Sequence, residues 1–237
     1  MTDIADQFYQ ATKYTSGTPT NYGPLPHAVP AAVKLPSPGA HMRTTLAKLL
    51  ASRRSRRKFT GERISLEDLS FLLWAADGVS SKGLPPHLRT APSAGARHPL
   101  DTYCVVTRVN GLDKGIYRYR VENHALELLR QGDFEEAAVI AAAGQEWLRG
   151  SAVVFIWIAE FARTTSRYKQ RGYRYVFLDA GHICQNLYLA AESLSLGVTG
   201  IAALIDDEVN ALVGADGREY SIVYMAALGR VGDAEKD

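Results

Sequence analysis

The chain has 237 residues, 46% hydrophobic and 22% charged, enough for a full core in one or two domains and ordinary for a globular protein. Its formal net charge of +2 falls short of the basic excess expected of a protein that lives on nucleic acid. Two cysteines, Cys104 and Cys184, make no disulfide scaffold; no CxxC pair or HExxH motif points to a metal, and no leader pattern or bilayer-length apolar run occurs, so a cytoplasmic chain is expected.

Residues 1–43 carry six of the ten prolines, among them Pro19, Pro24, Pro26 and Pro30. Proline blocks regular helix and sheet pairing, so this stretch reads as an extended arm. Phe8, Tyr9, Tyr14, Tyr22 and Leu25 give it apolar handles for packing on the body or on a partner subunit; disorder is the alternative. Residues 44–237 form the body. Thr44–Ser52 reads as helical, and Ser65 is an N-cap for a helix to Asp77 with the apolar stripe Leu69, Leu72, Leu73 and Ala76. Pro85 and Pro86 mark a loop. Asp101–Val109 and Gly115–Arg120 read as neighbouring strands, and Phe134–Leu148 as a helix. The V-V-F-I-W-I run within Ala152–Ala159 reads as a central strand. A long helix follows over Tyr173–Leu196, with Leu178, Ile183, Leu187 and Leu194 at helical spacing and Gly197 as its stop. Val198–Leu204 is a short strand and turn, Asp206 caps a helix to Val213, and Ser221–Ala227 is the last strand. There is no βαβ rhythm and no GxGxxG, so a Rossmann dinucleotide domain is not expected.

The chemistry-bearing string is Arg53, Arg54, Ser55, Arg56, Arg57, Lys58 and Phe59, set between two helices. A guanidinium takes phosphate oxygens through paired hydrogen bonds and keeps its charge, and a serine hydroxyl adds a neutral contact. On a nearly neutral body, a local basic run suits a small anionic ligand better than a polyanion; a solvated face or a nucleic-acid patch is the competing reading.

Three blocks resemble the flavin-dependent nitroreductase superfamily, and within it the SagB/ThcOx-type dehydrogenase branch. They are R-R-S-R-R-K-F (Arg53–Phe59), T-A-P-S-A-G-A-R-H-P-L-D-T-Y (Thr90–Tyr103) and the long block Arg171–Glu192, which runs on through G-V-T-G-I-A-A-L to A-A-L-G-R at Arg230. The resemblance implies an α+β, nitroreductase-like fold, with a central mixed or antiparallel sheet surrounded by helices, and an intertwined homodimer with FMN at the subunit interface. It implies Arg53 and Ser55 at the FMN phosphate and ribityl end, with Arg54 as a second contact and Arg230 as a further phosphate candidate. Arg57 falls near the N1/O2 edge of the flavin ring, where positive charge stabilises the anionic reduced flavin. Pro92, Ser93, Ala94 and Gly95 match the loop that approaches the ring, chiefly that of the other subunit. Gly200, Ile201, Ala202 and Ala203 match the segment facing flavin N5.

Bland readings stand beside these. Gly95 is also a plain turn glycine and Gly200 a strand-end glycine. Gln185 and Asn186 also serve as partners for buried backbone, and His182 as a packing residue. Tyr173 and Arg174 either line the pocket or anchor the long helix. Two departures matter. Simple nitroreductases carry an asparagine where this chain has Ala96-Arg97-His98-Pro99, which passes that ring contact to Ser93 or Arg97. The lysine–tyrosine pair of peptide-modifying azoline oxidases is Arg167-Tyr168 here, and arginine does not readily accept a proton. The expected activity is FMN-dependent, ping-pong hydride transfer from a donor such as NAD(P)H to a small organic acceptor, with no nucleic acid or membrane partner. The alternatives are a SagB-type dehydrogenase acting on a heterocycle or peptide with oxygen as acceptor, and a non-catalytic FMN-binding protein.

Overall fold

A computed structural model describes residues 4–25, 32–39, 44–81, 83 and 88–232. The loop expected at Pro85–Pro86 and the arm prolines Pro26 and Pro30 lie outside the described residues.

The centre is a seven-stranded sheet in the order β1-β6-β5-β4-β7-β9-β8. Its strands are β1 (Val33–Lys34), β4 (Leu100–Val106), β5 (Gly115–Arg120), β6 (Ala125–Gln131), β7 (Val153–Glu160), β8 (Leu196–Ile201) and β9 (Tyr220–Arg230). Every neighbouring pair is antiparallel, which settles the choice between a mixed and an antiparallel sheet. A separate ribbon pairs β2 (Val79–Ser81) with β3 (Leu88–Arg89). The helices are α1 (Ile4–Ala11), α2 (Leu46–Ser52), α3 (Leu66–Asp77), α4 (Glu135–Ala141), α5 (Phe161–Tyr168), α6 (Gly172–Ser193) and α7 (Asp206–Val213).

Strand β7 organises the core. Its side chains alternate between two apolar clusters, with Phe155 and Trp157 on the α3/α6 side and Val154, Ile156 and Ile158 on the α4/α7 side. A strand covered on both faces needs apolar residues at every position, hence the unbroken V-V-F-I-W-I run. Helix α3 starts where its sequence says. Ser65 Oγ accepts from Asp68 N–H at 3.0 Å, and Asp68 returns the bond to Ser65 N–H.

Several elements depart from the sequence reading. Helix α4 ends at Ala141 rather than Leu148, because Ala143 and Gly144 take positive φ of 55° and 72° and turn the chain. Helix α6 ends at Ser193, with Ser195 left-handed at φ 56°. Gly197 is therefore not the stop; it lies inside β8, where a Cβ would crowd Val231 and Arg56. Leu178 does not join the core face of α6 but is exposed. Asp206 does not cap α7; it is the first helical residue, and its carboxylate accepts Tyr14 N–H at 3.1 Å. Asp207 and Glu208 likewise accept the N–H groups of Ser16 and Thr20. Tyr9 donates to Ile222 O and packs on Phe161, so the start of the chain is fastened to the body. Part of it, α1, is helical rather than extended.

Candidate active site

After α2 the arginine run becomes extended and lies along β8. Ser55 bridges Val198 in parallel, Arg56 N–H donates to Val198 O at 3.0 Å, and Thr199 Oγ donates to Arg56 O at 2.6 Å. Extended backbone sends alternate side chains to opposite sides. Arg56 is buried and pairs with Glu192 of α6 at 3.3 Å, holding the segment in place. Arg53, Ser55 and Arg57 fall on the other side. Ser55 Oγ is 3.0 Å from the Tyr188 hydroxyl, and the Arg53 guanidinium lies 5.3 Å from the Tyr188 ring centre. Tyr188 also accepts Gly200 N–H at 2.6 Å. Arg53, Ser55 and Gly200 are thus gathered round one tyrosine.

The other members of the run differ in fate. Arg57 lies 5.6 Å from the Trp147 ring centre, and Trp147 donates to Gln145, which donates to Ala203 O at 2.8 Å. This chain of contacts joins Arg57 to the end of the Gly200–Ala203 segment. Ile201 is buried in the core, while Ala202 and Ala203 are exposed. Arg54 turns back, donating to Ala51 O and Arg53 O at 2.9 Å, and does not join the cluster. Arg230 donates to Arg63 O at 3.0 Å, a separate place at the end of β9.

Gly200 has a physical reason to be glycine. A Cβ would meet the Tyr224 hydroxyl, and would lie 3.0 Å from Tyr224 Cζ and 3.5 Å from Cys184 Sγ. Burial pushes the Cys184 thiol up to about 12 and raises the Tyr224 hydroxyl, so both stay protonated at neutral pH.

The Pro92–Arg97 loop forms a second cluster. Gly95, Ala96 and His98 all take positive φ, 61°, 52° and 43°. Only glycine does this without strain; two non-glycine residues so held mark a loop fixed by its surroundings. Ser93 Oγ donates to Asp179 of α6 at 2.6 Å and accepts His98 N–H at 2.9 Å. Burial raises the Asp179 carboxyl, against the pull of the Ser93 hydrogen bond. Pro92 and Gly95 are exposed, with Ala94 half-buried between them. Arg97 donates to Arg163 O at 2.5 Å and to Ser166 Oγ at 3.2 Å. The Tyr168 hydroxyl sits over Gly95, 2.5 Å from where a Cβ would be, with Arg167 5.5 Å from the Tyr168 ring centre. Tyr173 and Arg174 do not join either cluster. Tyr173 stacks on Phe161 and donates to Asp6 of α1, and Arg174 lines a groove between α1 and α6.

The two clusters are anchored to opposite faces of one helix. Asp179 and Tyr188 are nine residues apart on α6, which at 100° and 1.5 Å per residue is about half a turn round and roughly 13 Å along. Tyr188, Trp147 and Gln145 were not singled out from sequence. Only the Q-N-L-Y-L block hinted at Tyr188, and nothing local marks the other two.

This sheet, this basic edge and this fixed loop define an α+β protein with a basic segment laid along its edge strand. The Nitroreductase family pattern matches residues 50–230, and the chain belongs to that family. A protein of Methanocaldococcus jannaschii named as a nitroreductase is 35% identical over 180 residues, covering 76% of this chain and 88% of its own length. The trifolitoxin-processing protein TfxB of Rhizobium leguminosarum bv. trifolii is 36% identical over 145 residues, 56% of this chain and 38% of that protein; this likeness supports the SagB/ThcOx-type branch. A nitroreductase-named structure from Ralstonia eutropha superposes with TM-score 0.73 at 25% identity, covering 90% of this chain and 97% of that one. Among the described residues, no helix is long and apolar enough to cross a membrane.

Proposed function

We propose that the chain is an FMN-dependent oxidoreductase working as a homodimer, with residues 44–237 as the cofactor-binding domain and 1–43 as its arm. The observation that carries this reading is the alternation of the arginine run. Buried Arg56 is tied to Glu192, while on the other side Arg53 and Ser55 meet Gly200 round Tyr188 and Arg57 rests against Trp147.

These residues fit FMN. Arg53 and Ser55 offer charged and neutral donors to a phosphate, Arg57 offers charge at the other end of the row, and glycine at 200 lets a flat ring approach. FMN would supply the redox chemistry, accepting a hydride at N5 from a donor such as NAD(P)H and passing the electrons to a small organic acceptor in a second half-reaction. The protein's own work is to hold, orient and electrostatically bias that group. The Pro92–Gly95 loop lies on the opposite face of α6, so a second copy of the chain is the natural source of the loop for each site. The exposed face of α6 supports such a contact. It carries Phe177 and Leu178, and around Gly181 there is open space for a partner backbone.

A second reading, dehydrogenation of a heterocycle or peptide, is favoured by Tyr168 over Gly95, where a hydroxyl stands next to the ring-approach loop. Arg167 stands beside it, and a guanidinium is a poor base.

The test is to identify the chromophore released from purified protein and to titrate it back. One equivalent of FMN per chain is expected, and Arg53→Ala should bind it tenfold to a hundredfold more weakly, about the effect of losing a charged hydrogen bond. A colourless chain that FMN cannot reconstitute would overturn the reading. Donor specificity then follows from anaerobic stopped-flow reduction; reduction by NAD(P)H supports the leading reading, and bound flavin that no donor reduces marks a non-catalytic binder.

A further inference from the structure

Next to Gly95, Ala96, Arg97 and His98 line a cleft of about 600 Å³. Its lining is dominated by guanidinium groups: Arg97 from the loop, Arg118 and Arg120 from β5, Arg163 from α5 and Arg89 from β3, against the carboxylates of Asp101 and Glu122. The groove between α2, α3 and α6, of similar size, is lined instead by groups such as Leu46, Leu49, Phe71 and Trp74.

We infer that this cleft binds the anionic group, carboxylate or phosphate, of the small molecule that exchanges electrons beside the Gly95 loop. The inference rests on the oxidoreductase reading for what the molecule does, but not for where its charge is held.

Charge compensation shows where an anion would sit. Asp101 accepts from Arg163 at 2.8 Å and from Arg118 at 2.7 Å. Burial works against its charge, yet these two guanidinium groups hold its carboxyl below the ordinary value, so it stays ionised and fixes both of them. Glu122, Glu127 and Glu160 pair with Arg89, Arg120 and Arg163. Arg97 alone of the five has no carboxylate within 4.0 Å among the described residues; it donates to Arg163 O and Ser166 Oγ. A guanidinium carries five N–H donors, so Arg97 and singly paired Arg118 keep donors to spare. Arg120 is 44% exposed and meets Glu127 only at 3.5 Å, a pair that an incoming anion can displace. His98 is half-buried, and burial together with Arg89 pushes it down to about 4, so it stays neutral and adds no charge of its own near pH 7.

The contacts also set the reach. Arg97 follows directly on the 94–96 turn that carries Gly95. A compact molecule whose anion sits at Arg97 and Arg120 therefore keeps its uncharged end near the ring-approach loop. The substrate class is an aromatic or heterocyclic molecule bearing a carboxylate or phosphate, rather than a neutral one.

The experiment is isothermal titration of the flavin-containing protein, and of the same protein stripped of flavin, with benzoate, inorganic pyrophosphate and neutral benzamide. At least one anion should bind saturably while benzamide does not. Tighter benzoate assigns the cleft to a carboxylate substrate, and tighter pyrophosphate to a phosphate-bearing one. Arg120→Gln and Arg97→Gln should each weaken the preferred anion about tenfold, the effect of ~1.4 kcal/mol. In turnover, Arg120→Gln should raise the KM for 4-nitrobenzoate and leave that for nitrobenzene unchanged. No anion binding by folded, flavin-containing protein, or binding that both variants leave intact, would overturn the inference. A chain that holds no FMN but still binds the anion would remove the oxidoreductase reading and keep the cleft.

Discussion

Arg57 and Asp77 show how single side chains are set by what surrounds them. Arg57 rests against Trp147, at the end of the row that starts with Arg53. If its charge lies by the flavin N1/O2 edge, it favours the anionic reduced form. Arg57→Ala should then lower the two-electron potential by roughly 30 mV, the equivalent of ~1.4 kcal/mol. An unchanged potential with full flavin content would remove Arg57 from the ring. Asp77 is buried with one oxygen on Arg89 at 2.6 Å and the other without a hydrogen-bond partner among the described residues. Burial pushes its carboxyl up to about 7, against the opposing pull of Arg89. Between about pH 4 and 7 the folded chain therefore keeps a proton that the unfolded chain has lost, so this residue makes stability fall as pH rises through that window. Urea midpoints of Asp77→Asn should lack that decline; parallel slopes for the two proteins would contradict it. Arg53, Ser55 and Arg57 were marked by the family resemblance; the extended backbone that sets them opposite Arg56 was not legible, because the apolar Phe59 among the charges reads as a packed turn. Tyr188, Trp147 and Gln145 were not legible, because each reaches the row from a separate part of the chain.

At the scale of elements, β8 and β9 create the close approach that Gly200 permits. Gly200→Ala would press a methyl group on the Tyr224 hydroxyl. It should lower flavin occupancy at most a few-fold while the chain still folds, and adding Tyr224→Phe should recover part of the loss. No recovery would mean that the methyl group obstructs the ligand itself rather than Tyr224. The elements that sequence revealed were those whose pattern and burial agree. β7 is apolar from Val153 to Ala159 because both faces are covered, and α3 carries its own capping box. Those it concealed have contrary local signals. β6, A-L-E-L-L-R-Q, has no β-branched residue and reads as helix former; it becomes a strand through pairing with β5. α5 carries Thr164 and Thr165, poor helix formers, with Thr164 buried. Helix α4 looked longer because Ala141–Gly144 gives no apolar break, and only the left-handed turn ends it.

At the scale of the whole molecule, the decisive feature is the separation of the two clusters across α6. The Arg53–Ser55–Gly200 row and the Pro92–Gly95 loop lie on opposite faces, and no pattern in a single chain discloses which copy serves which site. A site shared between subunits has a signature that a site within one chain lacks. Arg53→Glu should abolish FMN binding by putting a carboxylate at the phosphate end, and Gly95→Trp should do so by filling the ring approach. The most direct measurement is the FMN content of dimers reassembled from a mixture of these two variants. The account predicts that each variant alone is colourless and that mixed dimers recover one FMN per dimer, since one of their two sites draws an intact row from one chain and an intact loop from the other. Mixed dimers that remain colourless, although dimerisation is verified, would contradict it and place the whole site within one chain.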